Sequence, residues 1–242
     1  MENPPARRRP WQAPGVGVDV GEDPTFVERL PPPSKERFEQ LGRRRELRAG
    51  GVLVLEGDVA NRAWLVLDGL VKVESSHPDG RSPILALRGA GELIGEVGAL
   101  DGGGRSASVT AVLPTAVREF SSDELREAVR TDPDTAFALL AHLSGRLREA
   151  DRFRVSYMGD DVPRRLADCL CSLADRHGRS TPDGRGVEID LPLSQEDLAS
   201  LIAASRDSVA RTLHGWRNRG LVTTGRRTIV IVDVERFEAS SG

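Results

Sequence analysis

Cysteine is scarce in this sequence: two in 242 residues, Cys169 and Cys171. That is too few for a disulfide framework or a cluster of metal ligands. Two positions apart on a predicted helix, they point to nearly opposite faces and do not share a metal, so both read as packing residues. Long apolar runs are also missing, and none approaches the roughly 18 residues that suggest a membrane span. The arginines of "ARRRP" near the N-terminus precede no apolar stretch, so they do not read as a secretory signal. The expectation is a cytoplasmic protein without membrane contact. A global basic excess is absent as well: 34 Lys+Arg against 37 Asp+Glu leave a net charge of −3. Any surface for nucleic acid must therefore be local. No nucleophile–base arrangement and no metal-ligand spacing is present, so neither an enzyme nor a bound cofactor is expected.

What is present is ordinary for a globular chain: 38% hydrophobic and 29% charged residues, and a length sufficient for two modest domains. Residues 1–24 are rich in proline and glycine, cannot build a core, and read as a disordered tail. "SKERFEQLGRRREL" (Ser34 to Leu47) reads as a short helix capped by Ser34. From Gly50 to about Phe120 the texture changes to short apolar runs broken by Gly, Asp and Pro, such as "GVLVLEGD" and "AWLVLDGLVKVES". Alternation with turn signals at Asp68-Gly69 and Pro78-Asp79-Gly80 marks an antiparallel β barrel, roll or sandwich, with no helix crossing it. His77 falls in one of those turns and reads as a solvated residue.

Helical patterning resumes at Ser121 or Ser122 and stops near Asp132-Pro133. From Pro133 to about Tyr157 runs the longest helical segment. Ala136, Leu140, Leu143, Leu147 and Ala150 repeat at 4-3-4-3 spacing, a coiled-coil seam that calls for a partner helix and hence a homodimer. Phe137 and Leu139 lie off that seam and are expected to pack on the β domain. "GDDVP" (Gly159 to Pro163) reads as a hinge, followed by the helix "PRRLADCLCSLADRHG", a turn-rich loop "RSTPDGRG" and the strand "VEIDL". The expected division is a β domain over 25–132, a dimerisation helix over 133–158 and a second domain over 159–242.

That second domain carries the sharpest pattern. Ser194 opens a short helix with Asp197 in an approximate capping box. Ser205 caps a second helix in "IAASRDSVARTLHGWRNRGLV", whose Val209, Leu213 and Trp216 bury one face. Two helices joined by a short turn form a helix-turn-helix, and "LVTTGRRTIVIVDV" adds a hairpin with a basic tip, completing a winged helix. Between Ser205 and Arg227 stand six arginines (206, 211, 217, 219, 226, 227) against one acid, Asp207, a local charge of +5. Arginine's rigid fork pairs with guanine O6 and N7 in the major groove. Arg206 and Asp207 lie at the helix end that meets base edges, with Arg211 one turn on, while Arg226 and Arg227 suit phosphates. The same composition also suits a winged helix used for protein contacts.

"SQEDLASLIAASRDSVARTLHGWRNRGLV" followed by "GRRTIVIVD", behind a β domain and a long helix, resembles the CRP/FNR family of bacterial transcription regulators over about residues 25 to 238. The resemblance implies an α+β chain: a cyclic-nucleotide-binding-like β-roll or jelly roll, a long dimerisation helix and a C-terminal winged helix-turn-helix. In that family the recognition helix carries Ser-Arg-Glu and a second Arg; here Ser205, Arg206, Asp207 and Arg211 stand in those places. The family's phosphate-binding cassette resembles "GELIGEVGALDGGGRSASVTAV". The resemblance implies that Arg105 and Ser106 hold a cyclic phosphate and that Glu96 accepts the ribose 2′-OH, with Gly95 allowing close backbone approach. Without it, Glu96 and Arg105 equally suit a structural ion pair.

One departure concerns the base. The family's cyclic-AMP binders offer Thr and Ser from the long helix, and "RLREAD" places Ala150 and Asp151 there. Asp151 accepts but, when ionised, cannot donate. The implied effector is thus cAMP, cGMP or another cyclic nucleotide. The implied partners are double-stranded DNA at a pseudo-palindromic operator and a second copy of the chain. RNA polymerase joins them, touched through Asp175 to Gly186. Two other readings stay open. One is a same-fold regulator that binds DNA without cyclic nucleotide or with another effector. The other is a cyclic-nucleotide-binding signalling module that uses its winged helix for protein contacts.

Overall fold

The computed structural model describes residues 23–76 and 82–240. The sequence-predicted tail, apart from its last two residues, and the turn carrying His77 lie outside them. A 3₁₀ turn (Val27–Arg29) leads into α1 (Pro32–Gln40), with proline in its first turn. The predicted helix over Ser34 to Leu47 therefore needs correction. It ends at Gln40, Ser34 lies buried inside it, and Arg43–Leu47 form strand β1. Gly42, at φ +62°, turns the chain, and a Cβ there would collide with the Glu119 backbone.

The β domain is built from β1, β2 (Val52–Val54), β3 (Arg62–Asp68), β4 (Leu70–Glu74), β5 (Ile84–Gly89), β6 (Leu93–Ile94), β7 (Ser108–Ala111) and β8 (Thr115–Ser121). They pair antiparallel in two four-stranded sheets, β1-β8-β3-β6 and β2-β7-β4-β5. Inward-facing Leu53, Trp64, Val66, Val71, Ile94, Val109 and Val117 fill the space between them, as two sheets packed face to face require. The roll expected from alternation is present. It also contains a helix that alternation did not announce, α2 (Glu96–Asp101), entered and left through left-handed Gly95 and Gly102.

Ser121 caps α3 (Ser122–Thr131) in a full capping box with Glu124, which satisfies two otherwise orphaned backbone donors. α4 (Pro133–Gly159) then crosses the β domain. Its Ala138 and Leu139 pack with Phe26, Phe38, Phe120 and Leu125. Phe137 does not join them: it is 73% exposed, and with Leu140 (62%) and Leu147 (61%) it forms an outward stripe. Leu143, expected in the seam, packs inward instead. The exposed stripe is thus shifted by one position at its N-terminal end, because 3.6 residues per turn carry a seven-residue pattern around the helix.

At the hinge the helix breaks over two residues. Asp161 caps α5 (Val162–His177), whose Leu166, Leu170 and Leu173 are buried. β9 (Gly178–Ser180) occupies the start of what reads in sequence as loop and pairs with β10 (Val187–Asp190). α6 (Gln195–Leu201), α7 (Arg206–Asn218), β11 (Val222–Thr224) and β12 (Thr228–Ile231) complete a winged helix-turn-helix, and α8 (Val234–Ala239) closes it with Phe237 edge-on to Trp216. The core of this domain runs on into Leu70, Ile84, Leu87 and Val112 of the β domain. Ile84 N–H donates to Ser200 Oγ, and Lys72 lies 3.9 Å from Asp197.

Candidate functional site

The β-domain site is built around the β6–α2 turn. Gly95 takes φ +73°, and a Cβ there would lie 2.5 Å from Arg105 Nη1 and 3.1 Å from the Trp64 ring, so the position tolerates no side chain. Glu96 opens α2 and is 1% exposed. Its Oε1 accepts from Arg146 Nη1 at 2.7 Å, and its Oε2 has no hydrogen-bond partner among the described residues. Arg105 is buried, with its guanidinium 4.9 Å from the Trp64 ring centre. It donates to the carbonyls of Gly95 and Arg62, while its Nε–H donates to nothing among the described residues. Burial lowers the Arg105 pKa from its ordinary value, against the opposing charges of Asp58 and Glu96. Ser106 stands exposed beside it.

A buried carboxylate oxygen without a donor and a buried guanidinium N–H without an acceptor are costly when left alone. Glu96 follows Gly95 and Arg105 donates to the Gly95 carbonyl, so both flank the same turn, which suits a ligand carrying a hydroxyl and an anionic group. Gly95, Glu96, Arg105 and Ser106 are thus brought together. Ala150 and Asp151 are exposed on α4, where Asp151 Oδ1 sits 3.2 Å from Arg154. From that helix Arg146 reaches Glu96 and also donates to Leu93 O. Sequence reasoning passed Arg146 over, although it lies one turn before Ala150 on the same helical face. Deeper in, burial and the charges of Arg146, Arg88 and Arg29 push His142 down to about 3, so it is neutral at ordinary pH.

The second site is the outer face of α7. Ser205 Oγ accepts from Ser208 N–H at 3.1 Å and starts the helix. Val209, Leu213 and Trp216 bury one face. Asp207, Arg211, His214 and Asn218, at 4-3-4 spacing, form the opposite stripe, and all four are exposed. Arg206 flanks the stripe at the helix start, and Arg211 is steadied by Ser208 Oγ at 3.2 Å. Arg217 Nη1 donates to Thr224 Oγ1 at 2.9 Å, tying the helix to the wing. At the wing tip Arg226 and Arg227 are exposed, Arg227 with a left-handed backbone at φ +69°. His214 and Asn218 were not singled out from sequence, though their spacing from Asp207 and Arg211 was available.

Cys169 and Cys171 lie in the α5 core, their thiols pushed up to about 12 by burial first and by nearby carboxylates second, which leaves them inert. Among the described residues no cluster of three potential metal ligands occurs, and no helix is long and apolar enough to cross a membrane.

Comparison with known proteins matches both domains. Residues 44–132 match the cyclic nucleotide-binding domain family, and residues 164–240 match the Crp-like helix-turn-helix domain. A CRP-like cAMP-activated global transcriptional regulator of Mycobacterium tuberculosis is 31% identical over 188 residues, covering 78% of this chain and 83% of the relative. The cyclic AMP receptor protein of Thermus thermophilus is 31% identical over 189 residues with the same coverage, 78% and 83%. Among solved structures, FixK2 from Bradyrhizobium japonicum superposes with a TM-score of 0.69 at 24% identity, covering 82% of this chain and 96% of that one. The c-di-GMP responsive global regulator CLP of Xanthomonas campestris gives 0.68 at 26% identity, covering 82% and 98%.

Proposed function

The chain belongs to the CRP/FNR family and is a ligand-responsive, DNA-binding transcription regulator, and from that premise we propose that its effector is a cyclic nucleotide held at the β6–α2 turn. Arg105 and Ser106 take the phosphate, by a charge-assisted bond and a hydroxyl donor. Glu96 Oε2 accepts the ribose 2′-OH, and Gly95 lets the sugar-phosphate approach the backbone. Ala150 and Asp151 face the base, where Asp151 accepts from an adenine or guanine N–H. The observation that carries this reading is that Glu96 Oε2 and Arg105 Nε are both buried and both without a hydrogen-bond partner among the described residues.

Coupling to DNA then runs through Arg146. Because it bonds Glu96 and Leu93 from α4, a ligand on Glu96 acts directly on the long helix. Residues 25–132 serve as effector domain, 133–158 as dimerisation helix and 159–242 as DNA-binding domain. In a homodimer, two α7 helices enter successive major grooves of a pseudo-palindromic operator. Ser205 sets the start of the reading helix, Arg206 and Arg211 read guanines, Asp207 accepts from a cytosine N4, and Arg226 and Arg227 hold phosphates. The segment 175–186 is the surface offered to RNA polymerase. A switch of this kind works only through a difference in ligand affinity between two states.

A second reading, operator binding without cyclic nucleotide, is favoured by one observation: Arg146 of the long helix bonds Glu96 directly, a link made entirely by the chain's own side chains. Calorimetric titration of nucleotide-stripped protein with cAMP, cGMP and a cyclic dinucleotide separates the two. Micromolar binding of one of them that disappears in Arg105→Ala supports the first. No heat with any of the three, from protein that still binds operator, selects the second.

A further inference from the structure

The outer stripe of α7 carries an imidazole that base readout by Arg206, Asp207 and Arg211 does not use. His214 is exposed one turn beyond Arg211, and its ring contacts only its own helix. Nδ1 lies 3.4 Å from Arg217 Nη2, and Nε2 lies 3.1 Å from the Asn218 amide nitrogen. A guanidinium only donates, so Nδ1 is the bare nitrogen of the ring and Nε2 carries its hydrogen. Asn218 accepts that hydrogen once its amide is turned to bring the oxygen round, a choice made from the hydrogen-bond network. Arg217 is itself anchored on the wing through Thr224. Among the described residues neither Arg211, His214 nor Arg217 has a carboxylate in salt-bridge contact, and no other element places a charged group against the ring. The arrangement is therefore a bare imidazole nitrogen held beside a cation on a basic, DNA-facing surface.

We propose that His214 is a proton-linked contact to the DNA backbone: a phosphate drawn between His214 and Arg217 is matched by uptake of one proton at Nδ1, so affinity for DNA rises as pH falls. The proposal rests on α7 being the DNA-reading helix. Its position suits a phosphate, since the first turn of such a helix meets base edges and its later turns run beside the backbone. Imidazole changes charge between about pH 5 and 8, and an adjacent anion favours its charged form. Added affinity is thus fully present at low pH and lost as pH rises through the titration of the DNA-bound ring. The other histidines do not supply this effect from the DNA face: His142 is buried on α4, His177 packs beside Gly89 at the end of α5, and His77 lies outside the described residues.

The test is fluorescence anisotropy of the full chain on a random duplex and on an operator selected from a random library, at pH 6 and pH 8 and constant ionic strength. Wild type is expected to bind both DNAs about tenfold more tightly per engaged helix at pH 6, with a salt slope steeper by about one per helix. His214→Gln should be flat near the pH 8 affinity, and His214→Lys flat near the pH 6 affinity. An undiminished pH dependence in His214→Gln overturns the proposal, as does a dependence seen on the operator and absent on random DNA, which would mark a base contact. Failure of every variant to bind any DNA at either pH would instead overturn the DNA-reading premise.

Discussion

At the scale of single residues, an electrostatic knot borders the β-domain site, because Trp64 and Arg62, which meet Arg105 there, also bond Glu119. Glu119 is 3% exposed, and its carboxylate accepts from Arg43, Arg45, Arg62 and Trp64 Nε1. Burial pushes its pKa up, but the hydrogen bonds from Arg43 and Trp64 and the charge of Arg62 outweigh burial and hold it at about 2. A depressed carboxylate stabilises the fold above its ordinary value of 4.5 and loses that contribution as pH falls from there to about 2. Glu119→Gln should therefore cost about 1–3 kcal/mol at pH 7, at the lower end because the arginines face solvent. In denaturant melts its gap from wild type should close as pH falls through that window. A gap that stays constant would assign the loss to packing rather than charge. Nothing in the sequence marked Glu119, since two of its arginine partners stand 57 and 76 residues away. Glu96 and Arg105 were singled out only through their segment's resemblance to the family's phosphate-binding cassette, since by themselves they equally suit a structural ion pair.

Elements differ in how far local chemistry decides them. α7 was readable because three local signals agree: the Ser205 cap, apolar residues at 4-3 spacing, and polar residues on the other face. β1 was not, because "RRREL" buries only Leu47 and arginine is a good helix former. Only pairing with β8, and Glu119 waiting there for its arginines, makes that segment a strand. The separation of helix from wing also carries a prediction. Arg206→Ala, at the start of α7, should cost about 1–3 kcal/mol on the operator and relax preference at one base pair. Arg226→Ala, on the wing, should weaken operator and random DNA alike and lower the salt slope by about one. Binding-site selection with both variants checks this, and equal losses on both DNAs for Arg206→Ala would remove it from base readout.

For the whole molecule, the outward Phe137, Leu140 and Leu147 stripe on α4 is the surface a second copy would bury. Leu140→Asp with Leu147→Asp should convert the chain to a monomer in sedimentation, leave its melting little changed, and reduce operator affinity on the order of 100-fold by uncoupling the half-sites. A variant that sediments as a dimer would place the interface elsewhere. The sequence by itself determined the succession of β roll, long helix and winged helix-turn-helix, and it marked the turn and helix proposed to carry the two sites. Those features rest on periodicity, caps and short motifs, which act over a few residues. Tertiary structure alone decided what joins them: Arg146 on Glu96, the arginines gathered on Glu119, and α6 docked on the β domain through Ser200, Ile84 and Lys72. Each of these joins residues tens of positions apart, and which buried charge meets which partner depends on packing that no local pattern encodes.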